Sequence, residues 1–387
     1  MQKLRRGAAA VLAAALVVGW GMPVGADQNG TRYLVRSSDA ALEGRFGALH
    51  RFEQGFTTNL RSDEVAELAA SGVEVEPVLL YHLATPPEWA EARARSGSVR
   101  LTPSDRTPWG IEKMYNNPAL AATSGGTGVD VAVLDTGVNK NHPDLSRRVA
   151  QCKDFTGVGM RDGRCDDKNG HGTHVAGTVL ADGGADGLGI YGMAPGANLF
   201  AYRVCGADGS CWSDDISAAI RHAADQGAEV VSMSLGSDVE STLIRDAIAY
   251  AVGLNTLVVA AAGNDGPALG SIDYPGANAS VVAVAAIDSA EAVPDWSSRG
   301  VNDGDYVIEE REVEFAAPGV LVESAWKDGG YRTISGTSMA TPHVTGLAAK
   351  LWQGGGAVTR SYLQTLVRDL GALGDDPATG FGLPYVH

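Results

Sequence analysis

Residues Gly336–Lys350 read GTSMATPHVTGLAAK, and from Ala340 the apolar residues fall at Ala340, Val344, Leu347, Ala348 and Leu351. That spacing marks one face of a buried helix whose first turn begins near Thr337. Pro342 is expected in the opening turn, where a missing N–H costs little because the first amides of a helix have no intrahelical partner. Ser338 then stands at the positive end of the helix dipole, where free amides can stabilise a developing negative charge. Its hydroxyl is a candidate nucleophile, but a serine alone is weak and needs a base.

Two earlier stretches supply what Ser338 lacks. Val129 to Asp135, VDVAVLD, is a short β-rich run ending in an acid, with Thr136 and Gly137 forming the turn after it. His171 to Ala181, HGTHVAGTVLA, reads as a small-residue helix that opens on a histidine after the Asn169-Gly170 turn. The chain thus offers an acid, a base and a nucleophile in that order.

The segments VLDTGV, NGHGTHVAGTV and GTSMATPHVTG resemble the three signatures of the subtilisin-type serine peptidases, over about Thr107 to Tyr385. The resemblance implies Ser338 as nucleophile, His171 as general base and then acid, and Asp135 as the group that fixes the imidazole tautomer. It implies Asn264, in AAAGN, as the oxyanion-hole side chain. Other readings are weaker. An aspartic peptidase needs two carboxylates sharing a proton, and no second D-T-G or D-S-G follows Asp135. A nucleophile elbow needs G-x-S-x-G, but Ala340 stands at the last glycine, and His387 is a poor late base. His171 and His174 lack the glutamate of H-E-x-x-H, so His174 is expected to be a packed helix residue.

By the same resemblance an extended peptide substrate should add as a strand between Gly209-Ser210-Cys211 and Ser234-Leu235-Gly236, with Ala261 and Gly263 nearby. Asp273, before Tyr274-Pro275, falls at the floor of the pocket for the residue preceding the cut bond. A carboxylate there could favour Arg or Lys, or could bond locally.

The formal net charge of −16 argues against partners such as nucleic acid or anionic membranes, which are gripped by basic patches. Lys3, Arg5 and Arg6, the apolar run Ala8–Val18 and the small residues Val24-Gly25-Ala26 read as a secretory signal peptide over residues 1–26. Residues 27–105 follow as a small α+β unit, with Tyr33–Val35 and Val73–Leu80 as strands, Asp63–Ala70 as a helix capped by Ser62, and a polar linker from about Ala84. In the named family a segment in this place resembles a propeptide that aids folding and then fills the cleft, so a maturation cut is expected between Leu83 and Thr107. Residues 106–387 carry the catalytic unit.

In that unit apolar runs at Val129–Leu134, Leu199–Val204, Val230–Leu235, Leu257–Ala262 and Val281–Ala286 alternate with helices at His171–Ala181, Asp214–Ala224, Leu243–Val252 and Ser338–Trp352. Runs this apolar imply a mainly parallel sheet covered by helices on both faces, a three-layer α/β sandwich.

The four cysteines allow three pairings, and Cys152–Cys165 with Cys205–Cys211 is favoured because each closes a short loop. Acidic residues in glycine-rich loops make Ca²⁺ the expected cofactor: Asp162, Asp166 and Asp167, and again Asp182 and Asp186. The resemblance places calcium on the loop after the histidine helix, here Asp182, Asp186, Leu188 and Ile190. The reading is a secreted, monomeric, self-processed serine endopeptidase acting on proteins or peptides, with its own propeptide as transient inhibitor. A limited-processing protease cutting at basic residues and a silent binding module are the alternatives.

Overall fold

The computed structural model describes residues 31–86 and 98–386. The signal-peptide reading, residues 87–97 of the expected linker and His387 lie outside them.

The N-terminal unit is β1 (Thr31–Arg36), α1 (Ala40–Phe46), β2 (Arg51–Phe52), β3 (Gly55–Leu60), α2 (Ser62–Ala70) and β4 (Glu74–Pro77). Its antiparallel sheet, in the order β2-β3-β1-β4, closes on a small core of Val35, Phe56, Leu60 and Leu68. Ser62 is the first helical residue rather than the cap. Arg61 holds the cap position, its N–H donating to Glu64 Oε2 (2.9 Å). The single strand expected over Val73–Leu80 is two. Pro77 has no N–H to continue the ladder, β4 ends there, and β5 (Leu80–Leu83) leaves this unit altogether.

The larger unit runs α3 (Trp109–Met114), β6 (Asp130–Asp135), β7 (Val149–Asp154), β8 (Arg161–Asp162), α4 (His171–Leu180), β9 (Asn198–Arg203), β10 (Ser210–Trp212), α5 (Ser213–Asp225), β11 (Val230–Met233) and β12 (Leu235–Gly236). It continues with α6 (Thr242–Gly253), β13 (Leu257–Ala261), β14 (Val282–Ile287), β15 (Phe315–Pro318), β16 (Val322–Ala325), β17 (Tyr331–Ile334), α7 (Thr337–Lys350), α8 (Gly356–Gln364), β18 (Val367–Arg368) and β19 (Leu383–Pro384). Eight strands form one sheet in the order β15-β14-β13-β11-β6-β9-β7-β8, parallel except for the short edge strand β8. One core, with α4 and α7, covers one face, and a second, with α5 and α6, covers the other. The expected α/β sandwich is what forms, because strands buried on both sides can be apolar throughout.

The run Val230–Leu235 is interrupted at Ser234. β11 stays in the sheet, whereas β12 turns out to pair with β5. The acidic loop Asn302 to Glu314 is tied at its base: Asn302 Nδ2 donates to Val313 O (2.8 Å) and Asp375 Oδ1 (2.7 Å), and the buried Glu314 pairs with Arg360 (2.7 Å). Cys152–Cys165 and Cys205–Cys211 are both bonded, with Cα separations of 5.0 and 4.2 Å. Among the described residues no helix is long and apolar enough to cross a membrane.

Candidate active site

Sheet topology brings the three signatures together. β6 delivers Asp135 at its carboxyl end, and α4 and α7 begin with His171 and Thr337 on that side of the sheet, where loops at strand ends build sites in open α/β folds. His171 Nδ1 lies 2.8 and 3.0 Å from the two Asp135 oxygens, and both side chains are buried. A carboxylate on Nδ1 fixes the proton there and leaves Nε2 as the basic atom. His171 Nε2 is buried without a partner.

The opening of α4 is held by Asp167. Its carboxylate accepts from the amides of Asn169 (2.9 Å), Gly170 (2.7 Å) and Thr173 (3.0 Å) and from the hydroxyls of Thr136 and Thr173. An anion at a helix N-terminus satisfies amides that have no other partner. Asp167, expected as a weak calcium ligand, is therefore spent on positioning the histidine helix. Gly172 packs so close to Gly137 that a Cβ would lie 2.1 Å from the Gly137 carbonyl oxygen. Glycine is required there for α4 to approach the acid-bearing turn.

Ser338 is completely buried, and its Oγ donates to Ala84 O (2.6 Å) and Ser234 O (3.0 Å). Pro342 lies in the second turn of α7 rather than the first, so it removes the amide that would bond the Ser338 carbonyl. Ser234 Oγ takes that amide's place, donating to Ser338 O at 2.9 Å. Ser234→Ala should leave this carbonyl buried and unpaired, lowering stability by about 1–3 kcal/mol. Urea unfolding in a Ser338→Ala background, which prevents self-digestion, measures it.

Asn264 Oδ1 accepts from the Thr337 amide (3.0 Å) and hydroxyl (3.2 Å), which orients the amide. Its Nδ2 is buried and unpartnered, a free donor at the start of α7 close to Ser338. Thr337 was not singled out in the sequence, although its place immediately before Ser338 was the available signal.

β5 occupies the cleft. It pairs antiparallel with β10 (Ser210↔His82, Cys211↔Tyr81) and with β12 (Leu235↔Leu83, Gly236↔His82). The Leu83 amide donates to Gly209 O (3.1 Å) and the Ala84 amide to Ser234 O (3.2 Å). The two edges expected to receive a substrate strand hold this segment of the chain. Ala84, expected to open the linker, is buried against Ser338. Gly263 donates its amide to Thr337 Oγ1 (3.3 Å), Ala261 is buried at the end of β13, and Asp273 lines the pocket beneath Ala84.

In the loop expected to hold calcium, Asp144 Oδ1 and Asp186 Oδ1 converge on Gly184, where a Cβ would lie 3.0 and 3.5 Å from them, while other expected ligands are engaged elsewhere. Asp182 is paired with Arg147 (2.7 Å) and Arg148 (2.8 Å), and Asp162 with Lys153 (3.0 Å). Asp186 Oδ1 accepts the Leu188 amide, and the Ile190 amide goes to Asp144 Oδ2 (2.9 Å), which also receives the Tyr331 hydroxyl (2.7 Å). Among the described residues the groups of three acids or histidines close enough for one ion are His50, Asp214 and Asp215, and Asp238, Asp265 and Asp273, so Asp162, Asp166, Asp167, Asp182 and Asp186 are in neither. Asp182, Asp162 and Asp167 are thus held by two arginines, a lysine and a helix end respectively. His174, read as a packed helix residue, is fully buried with Nε2 on the Val322 and Arg332 carbonyls, and burial pushes its pKa down to about 3.

Residues 126–382 match the subtilase family. The chain is 48% identical over 359 residues to a subtilisin of Bacillus sp. (strain TA39), covering 86% of this chain and 84% of that protein. It is 36% identical over 307 residues to the M-protease of Shouchella clausii (strain KSM-K16), covering 79% and 71%. Of solved structures, sphericase superposes with a TM-score of 0.72 at 52% identity, covering 73% of this chain and 99% of that one. The S41 psychrophilic protease superposes with a TM-score of 0.71 at 52% identity, covering 73% and 99%. The chain belongs to the subtilase family and is a serine endopeptidase of the subtilisin type.

Proposed function

We propose that Asp135, His171, Ser338 and Asn264 are the catalytic residues of an endopeptidase made as an exported proenzyme, and that it cuts itself after Ala84. The observation that carries this is the 2.6 Å approach of Ser338 Oγ to the carbonyl oxygen of Ala84, at the end of a strand hydrogen-bonded on both sides. In the reaction the Ser338 proton passes to His171 Nε2 as Oγ bonds the carbonyl carbon, and Asp135 stabilises the imidazolium. Asn264 Nδ2 and the first amides of α7 receive the oxyanion. The C–N bond then breaks, His171 returns the proton to the leaving amine, and water releases the acyl group from Ser338. For attack the hydroxyl must turn its proton from the Ala84 and Ser234 oxygens towards Nε2.

Residues 27–84 act in this reading as inhibitor and folding aid. The N-terminal unit grips the amino end of α5: Arg32 bonds Asp214 (2.9 Å) and Asp215 (2.8 Å), Thr57 Oγ1 donates to Asp214 (2.8 Å), and His50 Nε2 lies 2.8 Å from Asp215. Removing one member of a buried charge cluster leaves the others unpaired, a cost of about 2–5 kcal/mol. Arg32→Ala should therefore release the cut segment at least about thirtyfold faster, read as the rate at which activity appears after cleavage. An unchanged release rate would show that this cluster does not hold the segment.

Export is supported by the basic and then apolar residues 1–18 and by the two disulfides. Protein substrates follow from the family, and a monomer from a site complete within one chain. Subtilases generally bind structural calcium, and the 182–190 loop, with Asp182, Asp186, Leu188 and Ile190, is where we propose that it binds.

A further inference from the structure

We infer that the pocket for the residue preceding the cut bond is a cation pocket, in which Asp238, Asp265 and Asp273 take the ammonium of lysine or the guanidinium of arginine. This rests on reading Ala84–Thr85 as the bond presented to Ser338. Ala84 lines a cavity of about 400 Å³ that Gly236, Asp238, Asn264, Asp265 and Asp273 also border. A methyl cannot fill that volume, and a long side chain at the same position would run towards the acids. One oxygen from each of the three carboxylates lies within 4.8 Å of the others.

The independent observation is Asp273 itself. It is only 7% exposed, and its Oδ1 has no partner. Its carboxyl shares a side-chain hydrogen bond with Asp265, so Oδ1 alone is left over, and a buried polar atom without a partner is costly unless the fold neutralises it or has a use for it. Two glycines make room for it: a Cβ on Gly236 would fall 2.6 Å from Asp273 Oδ2, and one on Gly263, at φ +104°, 2.5 Å from it. Burial, and then the neighbouring Asp265 and Asp238, push the Asp273 carboxyl up to about 8, so without a cation a proton sits there at neutral pH. Asp265 is raised too, by burial and Asp238. The other ionisable groups around this cavity are His82 on its wall and Tyr81, Glu240 and Tyr274 near its floor. Arg311 borders the outer side of Asp238 and Asp265, but its guanidinium bonds the Gly270 carbonyl. A substrate cation would replace the proton with a charge that all three acids face.

Calcium is the rival occupant: three carboxylates can supply up to six of the six to eight oxygens it takes, so the arms with and without chelator separate the two. The experiment uses mature enzyme and tetrapeptide anilides that differ only in a final Arg, Lys, Phe or Leu, with and without chelator, for wild type, Asp273→Asn and Asp238→Asn. The wild type is expected to favour Arg and Lys over Phe at least about tenfold in kcat/KM. Asp273→Asn should lower the Arg-to-Phe ratio by about tenfold, chiefly through KM, and Asp238→Asn, more exposed, by less. Stability gives a second readout. A carboxyl raised to about 8 in the fold and near 4 when unfolded supports the fold at low pH, and that support is lost as pH rises through 8. Asp273→Asn should accordingly melt above wild type at pH 9 but not at pH 5. Preference for Phe or Leu in the wild type, or a ratio unmoved by both variants, overturns the assignment. So does an Arg preference that appears only on chelation, since calcium would then own the pocket. Hydrolysis of none of the anilides overturns the reading of Ser338, and the pocket assignment with it.

Discussion

Ser338→Ala is expected to fold as the wild type does and to hydrolyse peptide substrates at a rate lower by about a million-fold. That figure is known from subtilisin, a member of this family, where removing the serine or the histidine alone costs about as much as removing the whole triad. The physical reason is visible at the site. His171 Nε2 has no other proton to take, and Asp135 is occupied by Nδ1 and by the Thr136 amide (2.7 Å). Without the hydroxyl only the oxyanion donors and the strand pairing remain, and these hold a carbonyl without attacking it. The exchange removes one oxygen from a helix whose position is fixed by packing and by Ser234, so the melting temperature should move little. Steady-state anilide hydrolysis with circular dichroism on the same preparation checks both halves. Residual activity above about one per cent with native spectra would place the nucleophile elsewhere.

Asn264→Ala should cost about a hundred- to a thousandfold in kcat with a much smaller change in KM. The magnitude again comes from subtilisin, where one oxyanion donor carries about 2.7–4 kcal/mol. The kcat-specific signature follows from the geometry. Asn264 Nδ2 is unpartnered while a carbonyl sits in the cleft, which is the arrangement of a donor that bonds fully only when the oxygen gains charge. Equal losses in 1/KM and kcat would mean that it binds the ground state as well. Because Asn264 Oδ1 also receives two bonds from Thr337, the alanine variant loosens the start of α7. Asn264→Asp, which keeps that acceptor and loses the donor, separates the two effects and should be as slow.

Much of the site was legible because its chemistry demands particular residue types at element ends. An acid closing an apolar run, a histidine opening a small-residue helix and a serine opening another point to one edge of a parallel sheet before any contact is known. The strands β6, β9, β11, β13 and β14 were legible to within a residue or two, since strands buried on both faces are apolar throughout. The mixed segment VAQCKD of β7 is half exposed and carries no such run, and β15 is four residues ending in proline. What could not be read was whatever depends on a distant partner. Ser234 looks like an ordinary strand residue until Pro342 frees the Ser338 carbonyl above it. Asp167 looks like one acid in a calcium-like loop until five donors converge on it. Leu80–Leu83 looks like the end of a small domain, and only the pairing with β10 and β12 places it in the cleft.

That pairing is also where the account is most exposed to test. The chain from Asp27 to His387 should be produced as wild type and as Ser338→Ala and followed by intact mass over time. The wild type is expected to separate into two pieces, the larger beginning at Thr85, while Ser338→Ala stays whole. Cleavage of both chains alike, or a first cut at a bond other than Ala84–Thr85, would contradict it.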